Sequence, residues 1–397
     1  MKRLSENQRF LVVFALLSLS MGVSVGVAKI ATALYALHLG AGPAQLGLIT
    51  SGGLVGLLVM SLPIGFLVDR WGPRRLFVIG SVLGGCTYAL VPLVPSPWFL
   101  LGATTAVGFF MPLRFVALNT VFFAQIRRMG EGKAGWSRAT HMSGMFLIGP
   151  GLGALLVSHA GFAATWWLVA ASFALTIAVS PLVMRAPVPP PAPPSGSVAG
   201  SRTGLAALLR DPDLREANTI DFVSQAASQY TTTFVIVIAL NRFGLEPAQA
   251  SGLVTAWGGT FIGTLLFGGL VARVLPPLRC VQLGFMMVAC SLLLLGSAGH
   301  AALLWAGMLL QGTGAGLVQS VNLGRIAQAG ARHGQGKVSG LNLLIGPLGG
   351  LAGSVAGGLL GQHHGLQTVF FCFVPLYGML AWWQTRRVHG EHRQALA

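Results

Sequence analysis

Acidic side chains are scarce in this 397-residue chain. Nine Asp and Glu stand against 25 Lys and Arg, and charged residues of both signs make up only 9%. Soluble domains carry roughly a quarter charged residues, so a soluble globular protein is excluded. Cysteine is equally sparse. Cys86, Cys280, Cys290 and Cys372 fall in or at the edge of apolar runs with no C-x-x-C spacing, which argues against a disulfide framework or a zinc site and leaves small apolar packing residues. No nucleophile–base pair or ligand cluster stands out. The run GEGKAG at 130–135 lacks the four-residue spacer before Gly-Lys, the following Ser/Thr and the preceding strand of a phosphate loop. Catalytic residues, bound metal and cofactors are therefore not expected, nor is an enzyme.

What the chain has is long apolar runs, with hydrophobic residues at 54%. A membrane span needs about 20 such residues. Twelve candidates follow in order: 10–38, 43–67, 75–94, 98–124, 140–159, 162–184, 217–240, 247–271, 280–298, 301–325, 339–360 and 366–385. The opening MKRLSENQRF leads into an apolar run with no small-residue cleavage site, the pattern of a retained first helix. Cations set the orientation. Lys29 and Arg114 fall inside spans and Arg242 alone lies outside. Every other Lys and Arg falls on the inner side if the amino terminus is cytoplasmic. Both termini are then cytoplasmic. The net charge of +16 is thereby explained by topology, without a nucleic-acid partner.

The longest polar stretch is 185–216. Its first part, APVPPPAPPSGSVAGS, is too poor in apolar residues to fold. Its second, LAALLRDPDLRE, has the pattern of a short amphipathic helix on the inner surface. The organisation is thus an amino-terminal six-helix bundle (1–184), a cytoplasmic linker (185–216) and a carboxy-terminal six-helix bundle with a short tail (217–397).

The two bundles repeat. Gly65, Asp69 and Arg75 recur as Gly269, Arg273 and Arg279, with the aspartate lost. AQIRRMGEGKA (124–134) recurs as AQAGARHGQGKV (327–338), and SGMFLIGPGLGA (143–154) as SGLNLLIGPLGG (339–350). Parallel repeats around a central loop are one way transporters are built. Between the second and third spans lies GFLVDRWGPRR, 65–75. It resembles the signature loop of the major facilitator superfamily, G-x-x-x-D-R-x-G-x-R-R, with Gly65, Asp69, Arg70, Gly72, Arg74 and Arg75 all fitting. That resemblance implies an all-α membrane protein of twelve transmembrane helices in two six-helix bundles. It also implies that Asp69 latches the bundles on the cytoplasmic side, seated at the amino terminus of the eleventh helix. A carboxylate there gains about 0.3–2 kcal/mol.

Other residues extend the reading. Gly149 and Pro150, in GPGLG, resemble a fifth-helix motif that the family associates with antiporters. Gly346 and Pro347 repeat them, so the element also reads as close helix packing. Lys29 and Arg114 are costly at membrane depth, about 2.5–3.5 kcal/mol or more if facing lipid. Lys29 can snorkel outward from the first span. Arg114 lies about 24 Å into the fourth by helical rise and is expected to face a cavity. The family's exporters often carry an arginine there with a glycine four residues on; here that position is Leu118. Asp221 begins a polar row with Gln225, Gln229 and Thr232 on one face of the seventh span, and it also reads as an interfacial carboxylate. Gln311, Gln319 and Asn322 form a similar row on the tenth. The resemblance implies that the first, fourth, seventh and tenth helices line the central cavity. His141 opens the fifth span and titrates near neutrality, though a boundary histidine is the simpler reading.

The expected protein is a secondary active transporter of a small organic solute, working by alternating access in a bacterial cytoplasmic (inner) membrane. Its partners are that solute and the bilayer, and it is expected to be a monomer driven by a proton or other ion gradient. Efflux of an anionic or zwitterionic metabolite, chelator or drug fits the cations of the first and fourth spans. Uptake or exchange of an organic anion is the alternative, and a non-transporting receptor or scaffold a remote one.

Overall fold

The computed structural model describes residues 6–61, 63–129, 135–184, 210–333 and 335–395. Residues 185–209 of the linker expected at 185–216 lie outside them. No strand occurs among the described residues. The helices are α1 (Glu6–His38), α2 (Pro43–Met60), α3 (Pro63–Trp71), α4 (Pro73–Leu90), α5 (Pro97–Met129), α6 (Gly135–Ser143), α7 (Gly149–Val179), α8 (Pro181–Met184), α9 (Pro212–Asn241), α10 (Pro247–Val274), α11 (Pro277–Gly296), α12 (Ala301–His333), α13 (Gln335–His364) and α14 (Thr368–Ala395). A π-helical turn, Gly144–Ile148, joins α6 to α7. Pro43, Pro63, Pro73, Pro97, Pro212, Pro247 and Pro277 each open a helix. Proline suits that first position, where the missing N–H has no helical partner and φ is already helical.

Ten of the described helical stretches are long and apolar enough to cross a membrane. The expected spans 140–159 and 162–184 lie in one of them, Ala139–Met184. It breaks at Gly161, whose φ of 79° a side chain rarely tolerates. The last expected span, 366–385, lies in α14, which is not among the ten. The seventh starts earlier than its apolar pattern. α9 begins at Pro212, so residues 212–216, expected in the linker, are its first turns. Asp211 caps it, accepting from the N–H groups of Asp213 (2.8 Å) and Leu214 (3.2 Å), which satisfies donors that would otherwise lack partners.

The chain divides into two compact units: Met1–Ser197 with Pro247–Thr255, and Val198–Glu246 with Ala256–Ala397. In the first, Phe14, Leu17 and Met21 of α1 pack with Phe77 of α4, Phe122 of α5 and Met184 of α8. Phe14 and Phe122 stack with ring centroids 4.2 Å apart. In the second, Leu214 and Ala217 of α9 meet Ile326 and Ala329 of α12 and Val338 and Leu341 of α13.

Candidate functional site

The signature stretch spans the end of α3 and the start of α4. Gly72 sits between them at φ 77°, and Pro73 opens α4 behind it. The chain turns sharply there, and only glycine takes that conformation without strain. Arg70, Arg74 and Arg75 are exposed. A Cβ on Gly65 would meet nothing within 4 Å, so packing gives no reason for glycine there. The side chain of Asp69 lies outside the described residues.

In the first unit α1 and the α6–α7 stretch approach at backbone distance. Gly22 faces Gly144, Gly26 faces Gly149, and Gly153 lies against Val27. A Cβ on Gly149 would come 2.6 Å from the Gly26 Cα, and one on Gly26 would come 2.8 Å from the Gly149 Cα. The π turn lies in this contact. The Gly149 N–H donates to Gly144 O, five residues back, and Pro150 has no N–H to offer Met145 O. A Cβ on Gly26 would come 2.4 Å from that carbonyl oxygen, so glycine is what lets the two backbones meet there. Close packing thus occupies Gly149 and Pro150, both buried.

Lys29 lies one turn further along α1. Its neighbours Ala28 and Ile30 are each 3% exposed, but Lys29 itself is exposed. Its Nζ lies 5.7 Å from the centre of the Phe146 ring, a cation–π distance. Phe146 belongs to the π turn. The structure therefore places the ammonium of an exposed residue beside an aromatic ring at the irregular point of the first unit.

Arg114 is different. It is 0% exposed. Its Nε donates to Ser81 Oγ (2.9 Å) and its Nη2 to Thr176 Oγ1 (2.8 Å). The guanidinium lies 3.8 Å from the centre of the Phe173 ring and 5.6 Å from that of Phe77. Arg114 forms no ion pair with a carboxylate among the described residues. Hydroxyls and aromatic faces carry the charge, and weak hydration makes arginine the cation best suited to that. The cavity-facing placement expected for it is corrected: Arg114 is enclosed by α4, α5 and α7.

In the second unit Asp221 is buried at 4% exposure and accepts from Asn342 Nδ2 of α13 at 3.3 Å. A Cβ on Gly346 would lie 3.5 Å from Asp221 Oδ2 and 3.3 Å from Gln225 Nε2. Gly346 thus lies beside Asp221 and Gln225, next to Pro347 inside the helix. Gln225 is exposed, and Gln229 Nε2 reaches Thr233 Oγ1 at 3.4 Å. The α12 row does not stay together. Gln319 is half-buried. Gln311 donates to Thr231 Oγ1 (2.9 Å) and Asn322 to Ala217 O (3.0 Å), both about 1% exposed. Gln311 and Asn322 bridge α12 to α9 and do not present an open polar face. His141 Nδ1 lies 3.3 Å from Ser18 O, with its ring 5.3 Å from that of Phe115.

Sequence reasoning missed an ionic ladder. Glu216 pairs with Arg325 at 2.6 Å, Asp213 with Arg332 at 2.8 Å, and Asp211 with His333. Positions rise along α9 as they fall along α12, so the helices run antiparallel. Gln384 of α14 also donates to Glu216, at 3.0 Å. Partial burial pushes the Asp211 carboxyl up, but the His333 side chain, the N–H groups of Leu214 and Asp213, and the Arg332 charge outweigh it and hold it below the ordinary carboxylate range. The missed signal was the seven-residue spacing of Arg325 and Arg332, which puts both on one face of a helix.

The family model of the Major Facilitator Superfamily matches residues 11–350 and 222–397. The multidrug efflux pump Tap of Mycobacterium tuberculosis is 27% identical over 295 residues, covering 69% of this chain and 68% of that protein. The 3-(3-hydroxy-phenyl)propionate transporter of Escherichia coli is 29% identical over 287 residues, covering 69% and 66%. Among solved structures, the nucleoside transporter NupG superposes with a TM-score of 0.77 at 14% identity over 96% of this chain and 99% of that one. The human organic anion transporter MFSD10 gives 0.63 at 18% identity, over 96% and 100%.

Proposed function

The chain belongs to the Major Facilitator Superfamily, and from that premise we propose that it is a proton-coupled exporter of an anionic or zwitterionic organic solute. It works by alternating exposure of one site to the two faces of a bacterial inner membrane. Twelve spans in two six-helix bundles, both termini cytoplasmic and a monomeric state complete the reading. The observation that carries the substrate class is Lys29. It is exposed beside Phe146, and the other intramembrane cation, Arg114, is consumed by protein contacts. An ammonium and a ring together suit a solute with an anionic group next to an apolar body. Asp69 would stabilise the inward-closed state.

The test is transport into everted vesicles under an imposed proton gradient. 3-(3-Hydroxyphenyl)propionate and tetraphenylphosphonium are compared in the natural chain and in Lys29→Gln. Uptake of the acid that collapses in Lys29→Gln supports the reading. Preference for the lipophilic cation overturns it. Asp69→Asn is expected to leave expression intact and cut flux sharply. A second reading, uptake or exchange of an organic anion, is favoured by the likeness to the phenylpropionate transporter. Right-side-out vesicles separate the two by the direction of gradient-driven flux.

A further inference from the structure

The two units fasten the end of their first helix at equivalent places with different residues. α1 ends at His38, and Arg242 follows α9 directly. Two residues on, Gly40 and Gly244 both take positive φ, 78° and 61°. Each end reaches a second turn that also carries a positive-φ glycine, Gly161 at 79° and Gly365 at 86°. In the second unit Arg242 Nη1 donates to Gln367 Oε1, two residues past that glycine. Gln367 is 7% exposed, and its Nε2 donates to Leu295 O (3.1 Å) and Ala298 O (3.3 Å) at the end of α11. The cation of that corner is permanent. In the first unit the His38 ring lies 4.9 Å from that of Phe162, one residue past Gly161, and 6.3 Å from that of Tyr35. Tyr35 is itself 5.0 Å from Phe162 and 6.2 Å from the buried Trp166. An imidazole thus stands where the second unit has a guanidinium.

We infer that His38 is a pH-operated pin between α1 and α7: protonated, it fastens this corner of the first unit as Arg242 permanently fastens that of the second, and neutral, it lets the corner open. The corner lies on the outer face in the orientation proposed above. The pin is separate from the transport step and moves no proton across the membrane. Histidine changes charge between pH 5 and 8. An imidazolium within about 6 Å of an aromatic ring is attracted to the negative face of that ring. A neutral imidazole loses that attraction and keeps only the stacking. The proton comes from water, because His38 is exposed. The surroundings leave the local charge to the histidine. No Asp, Glu, Lys or Arg occurs at 30–68, 76–113 or 139–184, so α2 and α7 bring none to this corner. Along α1 the next charge is Lys29, about 14 Å away by helical rise. The titratable side chains of the two packed segments are Tyr35, in ring contact with His38, and His159, three residues before Phe162 and exposed.

The experiment is amide hydrogen–deuterium exchange of the purified full chain in detergent at about pH 5.5 and about pH 7.5, either side of the ordinary histidine range, corrected for the intrinsic pH dependence of exchange. At the end of α1 and at the Gly161 turn, the natural chain is expected to open about two- to fivefold less at the lower pH, the range of an exposed cation–π contact. His38→Arg, which copies the second unit, protects the corner at both pH values, and His38→Gln leaves it unprotected at both. Phe162→Leu removes the facing ring, keeps the histidine and abolishes the pH difference. His159→Gln retains it. The Arg242–Gln367 corner shows no such difference. The pin is overturned by a difference that survives in His38→Gln or Phe162→Leu, vanishes in His159→Gln or appears equally at Arg242. It is overturned also by no difference in the natural chain, or by His38→Arg that fails to protect at the higher pH. No solute and no gradient enter, so this measurement and the vesicle assay fail separately.

Discussion

The two units solve one packing problem with different chemistry. In the first, α1 meets the α6–α7 stretch glycine against glycine, and a π turn precedes Gly149-Pro150. In the second, α13 supplies all the glycines. Gly349 packs on Phe222 and Gly353 on Ala226 of α9, where a Cβ would come 2.9 Å and 2.6 Å from the respective Cα atoms, and the helix runs through Pro347 without a π turn. The repeated Gly-Pro element therefore serves helix contact in both units. The units diverge in how they hold charge. The first buries a cation among hydroxyls and rings. The second balances its cations with acids from α9.

That contrast can be broken at the glycines first. Gly26→Leu in one unit and Gly353→Leu in the other are each expected to abolish monodisperse folded protein, read by size-exclusion chromatography in detergent. Gly151→Leu, where a Cβ meets nothing within 4 Å, leaves folding intact. Survival of Gly26→Leu would show that the backbone approach is not required.

Charge in the second unit gives the next effect. Arg325→Ala leaves the buried Glu216 without its cation and costs about 3 kcal/mol, the low end for a buried pair because Arg325 is partly exposed. Arg332→Ala, in a pair 52% and 42% exposed, costs at most about 1 kcal/mol. Equal losses in melting temperature would erase the distinction between the rungs. In the first unit, Arg114→Lys is expected to be worse than Arg114→Met. Lysine keeps the charge, loses the paired hydroxyl bonds and hydrates more strongly, at a cost of about 1–3 kcal/mol.

The smallest effect is at Asp211. Asp211→Ala removes the cap of α9 and costs about 1 kcal/mol near neutrality. The folded carboxyl is held below its ordinary range, so its contribution is complete above about pH 4 and is lost as pH falls further. The gap in melting temperature between natural and variant protein should close on acidification, and a gap that widens would contradict the assignment.

The all-helical class and most helix positions were legible because apolar runs of membrane length have few alternatives. The signature loop was legible through residue identity, and Gly72 now has a backbone reason. Membrane depth let Lys29 snorkel and pointed Arg114 to a cavity, because one sequence cannot say which face a helix turns to its neighbours. Only the fold separates the exposed Lys29 from the enclosed Arg114. Gln311 and Asn322 were misread for the same reason: a polar row on a helix fits a cavity wall and an interhelical bridge alike. The ladder was hidden differently. Asp211, Asp213 and Glu216 precede the apolar pattern and read as linker, and Arg325 and Arg332 were fully accounted for as inner-face cations.

The graded burial of that ladder makes salt concentration a selective reagent. The screening length is about 10 Å at 0.1 M and about 3 Å at 1 M, and solvent-facing charges feel it far more than enclosed ones. Raising salt should therefore weaken Asp213–Arg332 first and Glu216–Arg325 last among the charged contacts of α9 and α12. The α9–α12 seam would then fray from its wet end towards its dry one, in an order set by ionic strength.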